Sequence, residues 1–190
     1  MSPKTHNLRV LVPLADGFEE IEAMTIIDVL RRAGLDVTTA GLKAGPATGA
    51  HGVEVKPDTD LGKVEADSFD VLVLPGGMPG AANLRSDRCV LDLVRSLHER
   101  GKYTAAICAA PMVLAAAGIL SGTPVTCYPG FQKELGDARY QEDQRVVRSG
   151  KVITSRGPGT ALEFALALVE ELCGPAKAKE LSEGMLARAG

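Results

Sequence analysis

Apolar and polar positions change period repeatedly along this chain, and each change marks an element. Leu8–Leu14 (LRVLVPL) is a mainly apolar run of strand length, whereas Ala23, Ile26, Ile27 and Leu30 recur at offsets 0, 3, 4 and 7. That second pattern is one face of a helix, running from just after Asp16–Gly17 to about Ala33. Gly34 stops the helix, and Asp36–Ala40 (DVTTA) predicts a second strand. Residues 43–68 are punctuated by Gly and Pro, with Val53 and Val55 alternating as in a small hairpin. Asp70–Leu74 (DVLVL) predicts a further buried strand that ends in Pro75-Gly76-Gly77. A helix around Arg88–Arg100 precedes Tyr103–Ile107 (YTAAI), a strand that runs straight into Cys108. Ala109–Ala117 reads as a helix with Gly118 as its stop. Val125–Tyr128 predicts a short strand, and Val146–Arg148 and Val152–Thr154 flank a Ser149-Gly150 turn. Pro158–Leu172 and Ala176–Ala189 read as two final helices.

Strands separated by helices require crossover connections, and crossovers give a largely parallel sheet covered on both faces. Without a repeat or an interdomain linker, residues 1–190 predict one α/β/α domain. Charge adds exclusions rather than a class. With 21 Lys+Arg against 24 Asp+Glu and no basic stripe, nucleic acid is not the expected main partner. No apolar run approaches the roughly 20 residues of a membrane span, and residues 1–7 lack a signal-peptide core, so the cytoplasm is expected. Four cysteines (Cys89, Cys108, Cys127 and Cys173) and three histidines contain no C-x-x-C pair, so free thiols are expected and no metal site is read from spacing.

In open α/β sheets, sites form at the carboxyl ends of strands, and three strand ends here carry unusual chemistry. Ala105-Ala106-Ile107-Cys108-Ala109-Ala110-Pro111 has the form of a nucleophile elbow with cysteine in place of serine. Small neighbours permit the sharp turn, Pro111 suits a first helical turn, and a helix N-terminus beneath the sulfur favours thiolate. The competing account is an inert buried cysteine. Pro75-Gly76-Gly77-Met78-Pro79-Gly80 either presents backbone N–H groups to an anion or is simply a tight turn; its glycines do not fit a dinucleotide fingerprint. Glu19, Glu20 and Glu22 open the first helix, with Asp16 and Glu19 at capping-box spacing. A carboxyl at Glu22, beside apolar residues, would be desolvated and suited to moving protons, but spacing alone does not choose among the three glutamates. His6, His51 and His98 read as solvated surface residues.

Four motifs in order, Gly17-Phe18-Glu19-Glu20-Ile21-Glu22, Leu74-Pro75-Gly76-Gly77, the Cys108 segment and Thr154-Ser155-Arg156-Gly157-Pro158-Gly159-Thr160, resemble the ThiJ/PfpI superfamily. The resemblance is to its YajL-like, Parkinson-disease-associated deglycase branch and runs from about Leu8 to Gly174. It implies a flavodoxin-like three-layer α/β/α sandwich of the class I glutamine amidotransferase-like kind, usually a homodimer. It implies Cys108 as nucleophile, Glu22 hydrogen-bonded to its sulfur, and an oxyanion hole from the N–H groups of Gly77 and Ala109. Gly76, Tyr128, Arg156 and Arg32 are expected in the pocket or the subunit interface. The implied activity is a glyoxalase reaction without glutathione, together with deglycation of early glyoxal and methylglyoxal adducts, with a small aldehyde or glycated substrate and no cofactor. The alternative is a redox-responsive chaperone or sensor working through Cys108 oxidation. Two positions depart from relatives: Ala109 stands where the peptidase branch has a histidine, and Tyr128 where some deglycase members have one.

Overall fold

A computed structural model describes residues 8–187. Four strands carry the site: β1 (Arg9–Leu14), β6 (Val71–Leu74), β7 (Tyr103–Ile107) and β11 (Val152–Ser155). They lie side by side in the order β11-β7-β6-β1, all parallel, with buried residues on both faces. That two-sided burial is why the sequence shows apolar runs rather than alternation. Outside them, β2 (Asp36–Gly41) and the short β5 (Thr59–Asp60) extend the sheet beyond β1, and the antiparallel β10 (Val146–Ser149) closes the other edge.

From β1 the chain crosses one way to β2 through α1 (Glu20–Arg32), then returns to the other side of β1 to enter β6. Right-handed crossovers in opposite directions put helices on opposite faces of the sheet. Accordingly α1 packs with α5 (Ala161–Cys173), which carries α6 (Pro175–Gly184), while α2 (Gly80–Ser86), α3 (Arg88–Glu99) and α4 (Pro111–Ala116) pack together. The reversal of direction between β1 and β6 opens a crevice at their carboxyl ends. Among the described residues no helix is long and apolar enough to cross a membrane.

Several expectations shift. The predicted hairpin exists, with β3 (Ala47–Thr48) antiparallel to β4 (Glu54–Val55). Only Pro124–Val125 of the expected Val125–Tyr128 strand is one (β8), paired with Arg139–Tyr140 (β9) outside the main sheet. Thr126 and Tyr128 instead donate their N–H groups to Thr154 Oγ1 and Cys108 O, at 2.9 Å each. The helix expected from Pro158 opens with a 3-10 turn, and α2 was not anticipated because its seven residues hold too little periodicity. The expected final helix ends early, at Gly184, and its last two expected residues, like His6, lie outside the described residues.

Candidate active site

Three loops meet in the crevice, following β1, β6 and β7. Cys108 directly follows β7 in a left-handed conformation, φ +64°, which a side chain with a Cβ adopts at a cost. The surroundings over-determine it. Cys108 N donates to Ser155 O at 3.0 Å, Cys108 O accepts from Tyr128 N at 2.9 Å, and Ala110 N donates back to Ile107 O at 3.0 Å. The alanines on either side are fully or almost fully buried, so nothing larger fits beside the turn. The elbow is real, and Cys108 is not simply a core thiol in a regular element.

The glutamates separate cleanly. Glu19 is the N-cap of α1, its Oε2 accepting from Glu22 N at 2.7 Å. The expected capping box from Asp16 does not form, because Asp16 accepts from Thr48 N and Lys43 Nζ across the loop. Glu20 turns to the β3–β4 hairpin, taking the N–H of His51 at 2.6 Å and its Nδ1 at 2.8 Å, so His51 is exposed but not idle. Glu22 alone faces the crevice. It is fully buried, its Oε2 accepts from Gly76 N at 2.8 Å, and its Oε1 has no fully formed hydrogen bond. Burial pushes its carboxyl up to about 7, against the pull of the Gly76 N–H and the nearby Cys108 thiol, while the Glu19 charge adds to the rise.

Burial also pushes the Cys108 thiol up, to about 12, and the Glu22 charge pushes the same way; the N–H groups of Gly77 and Ala109, both directed at the sulfur, pull it down. At 8% exposure, burial acts against the thiolate that the helix N-terminus is expected to favour, and the N–H donors act for it. The two values describe one coupled pair. Burial raises both groups, and the Cys108 thiol and the Glu22 carboxyl are placed to pass one proton between them. When that proton sits on Glu22, the sulfur is a thiolate facing two N–H donors without a neighbouring negative charge.

Glycine is required at both positions after β6. A Cβ on Gly76 would stand 2.6 Å from Cys108 Cβ and 2.8 Å from Glu22 Oε2. Gly77 has φ +90°, and a Cβ there would overlap Glu19 N.

The remaining expected residues spread out. Tyr128 is half-exposed, tied by its backbone to Cys108, with its ring edge against Gly157. Arg156 donates to Glu142 O and lies near Cys127, whose buried thiol is pushed up to about 11 by desolvation. Arg32 is not in the pocket: it sits about 15 Å of helix beyond Glu22 and pairs with Asp28 at 2.7 Å on the exposed surface. Cys89 and Cys173 are exposed, on α3 and at the end of α5.

Comparison with known proteins gives concordant results. Residues 8–171 match the model of the DJ-1/PfpI family. The chain is 49% identical over 178 residues to protein dj-1beta of Drosophila melanogaster, covering 93% of this chain and 95% of that protein. It is 41% identical over 173 residues to the glutathione-independent glyoxalase DJR-1.2 of Caenorhabditis elegans, covering 90% and 91% respectively. The crystal structure of Drosophila melanogaster DJ-1beta superposes with a TM-score of 0.93 at 46% identity, over 96% of this chain and all of that one.

Proposed function

The chain belongs to the DJ-1/PfpI family, and from that premise we propose that it is a cysteine-dependent glyoxalase needing no glutathione, and a deglycase by the same chemistry. The observation that carries this reading is the pairing of buried Glu22 with Cys108 beneath two N–H groups. The similarity to a relative named as a glutathione-independent glyoxalase supports it.

Glu22 takes the Cys108 proton, and the thiolate adds to the aldehyde carbon of methylglyoxal. The oxyanion of the hemithioacetal lies against the N–H groups of Gly77 and Ala109, then takes the proton held by Glu22. The Glu22 carboxylate so regenerated removes the hydrogen from the former aldehyde carbon. It returns that proton to the neighbouring carbon through an enediol, while the hydroxyl proton on the former aldehyde carbon passes to the ketone oxygen, leaving a lactoyl thioester. Water hydrolyses the thioester, releasing lactate and restoring the thiol. Early glycation adducts enter by the same attack on their aldehyde-derived carbon, and the free amine or thiol departs. Neither Ala109 nor Tyr128 supplies an imidazole, so Glu22 carries every proton transfer.

The redox alternative would use the same Cys108 and Glu22, and turnover separates the two readings.

The test follows lactate formation from methylglyoxal by NMR, with Cys108→Ser as control, across pH. Below about pH 7 the Cys108–Glu22 pair holds both protons and no thiolate forms. The value of kcat/KM should therefore climb with unit slope and level off above about pH 7. A purified protein that forms no lactate, or a Cys108→Ser variant that still does, would overturn the assignment.

We further propose a homodimer through the start of α1. Ile21 (58% exposed) and Val53 (50%) are bare apolar side chains on adjoining elements, since Val53 N approaches Glu20 Oε1. Light scattering should give about twice the 19.9 kDa chain mass; the monomer value at micromolar concentration would rule it out.

A further inference from the structure

The segment Ser155-Arg156-Gly157-Pro158-Gly159-Thr160 leads from the end of β11 to the start of α5, and both of its hydroxyl side chains are buried. Thr160 is the N-cap of α5, where a threonine ordinarily accepts from an N–H of its own helix, yet its side chain makes no such bond. It turns back into the loop instead. Thr160 Oγ1 accepts from Gly157 N at 3.1 Å and lies 2.7 Å from Ser155 Oγ, which donates to Arg145 O at 2.8 Å. Each hydroxyl has one proton. That of Ser155 is spent on Arg145 O, so the proton between the two hydroxyls comes from Thr160. Gly157 O, 2.9 Å from the same hydroxyl, is already supplied by Thr160 N at 2.8 Å. One directed chain results, from the Gly157 N–H through Thr160 and Ser155 to Arg145 O. It ties the end of β11 to the residue before β10.

Both restraints on Cys108 start from this chain. At one end, Ser155 O accepts from Cys108 N at 3.0 Å. At the other, Gly157 packs against the Tyr128 ring so closely that a Cβ on it would stand 3.0 Å from Tyr128 Cδ2. Tyr128 N in turn donates to Cys108 O at 2.9 Å. The N–H and the carbonyl of the residue with φ +64° are thus both fixed from one buried hydroxyl pair. A left-handed backbone at a residue with a Cβ persists only where its surroundings over-determine it. Relaxation of Cys108 would swing its sulfur away from the N–H groups of Gly77 and Ala109 and from Glu22.

We propose that Ser155 and Thr160 are positioning residues for the nucleophile, acting as one unit that holds Cys108 in its left-handed turn. Neither hydroxyl touches the sulfur or the substrate; their effect passes through Ser155 O on one side and through Gly157 and Tyr128 on the other. The proposal rests on the reading of Cys108 as the reacting thiol. It also gives Tyr128 a part that needs no imidazole, since its backbone and ring edge do the holding.

The test compares Thr160→Val, which keeps the branched shape and removes the hydroxyl, with Thr160→Ser, which keeps the hydroxyl. For methylglyoxal, kcat/KM should fall at least about tenfold in Thr160→Val and stay within about twofold of native in Thr160→Ser. Ser155→Ala breaks the same chain and should lose a similar factor. The double variant should lose little more than the larger single loss, as residues acting as a unit do. A second readout needs no substrate: the ultraviolet thiolate absorbance of Cys108, taken as the difference from the matching Cys108→Ser protein. It should appear at higher pH in Thr160→Val, where the sulfur has left its N–H donors, and return to the native position in Thr160→Ser. A Thr160→Val protein with a lower melting temperature but native turnover and native thiolate titration would make the pair merely structural and overturn the proposal. Equal losses in Thr160→Val and Thr160→Ser would overturn it too. Where Thr160→Val does not fold, a folded Ser155→Ala protein with native turnover and titration overturns it in the same way. A thiolate shift in Thr160→Val, in a native protein that forms no lactate, would sink the glyoxalase reading and uphold the positioning.

Discussion

Replacing Glu22 with Gln is expected to lower methylglyoxal turnover by about 10²-fold or more while making the protein more stable at neutral pH. The activity loss follows from the mechanism, since Gln cannot take the Cys108 proton or move the substrate's C–H proton. The stability gain follows from the burial that suits Glu22 to this work. Its carboxyl has a folded pKa of about 7 against 4.5 in an unconstrained chain, so the folded form binds the proton more tightly. Stability on this account is highest below about pH 4.5, falls as pH rises to about 7, and stays low above; the total loss is on the order of 3 kcal/mol. Gln has no such loss. Its carbonyl oxygen can accept from Gly76 N, and its amide then occupies the position where Oε1 now lacks a partner. Thermal melts should therefore show the variant's advantage widening over this interval and then becoming constant. Glu20→Gln is the control. It should leave turnover near native and cost stability, because Glu20 fastens the β3–β4 hairpin through His51. Equal losses of turnover in both variants would mean that the catalytic carboxylate is misassigned.

How much of this was legible in the sequence depended on whether a feature is local. The apolar runs of β1, β6 and β7 and the stripe on α1 are periodicities, and the structure puts those elements where the runs predict, within a residue or two. The elbow was legible because sharp turns demand small residues, and alanines surround Cys108. The roles of Glu19, Glu20 and Glu22 were not, since they are decided by three distant partners: a helix end, a hairpin and the Gly76 N–H. Asp16 shows the same limit, its capping spacing overridden by Thr48 and Lys43 from beyond β2. The balance of effects on the Cys108 thiol is hidden from the sequence for a related reason. A helix N-terminus can be read from sequence, but the degree of desolvation at Cys108 depends on strands and loops that only the fold brings together. Tyr128 likewise reads as part of a strand until its N–H is seen to be spent on Cys108 O instead of a ladder.

Gly76→Ala is expected to lower turnover by at least about 10²-fold. Unlike Gly77, Gly76 does not have a positive φ, so alanine meets no intrinsic backbone penalty there. The obstacle is space alone. The added carbon would lie 2.6 Å from Cys108 Cβ, 2.8 Å from Glu22 Oε2 and 2.8 Å from Ile107 O. Carbon atoms in good contact stand about 3.5–4.0 Å apart, so something must move by nearly an ångström. Ile107 O belongs to a central strand paired on both sides, and Cys108 is pinned through both its N–H and its carbonyl. Glu22 gives way most cheaply, and as it does it leaves the sulfur and strains its bond from Gly76 N. A carboxylate displaced by that distance no longer reaches the proton it must take, so kcat falls more than KM changes. The strain that remains costs about 1–3 kcal/mol of stability, as other overpacked interiors do. The measurement is kcat and KM for methylglyoxal together with a thermal melt. A Gly76→Ala protein that folds and turns over at the native rate would show that Glu22 need not be held against Cys108, and the shared-proton mechanism would fail with it.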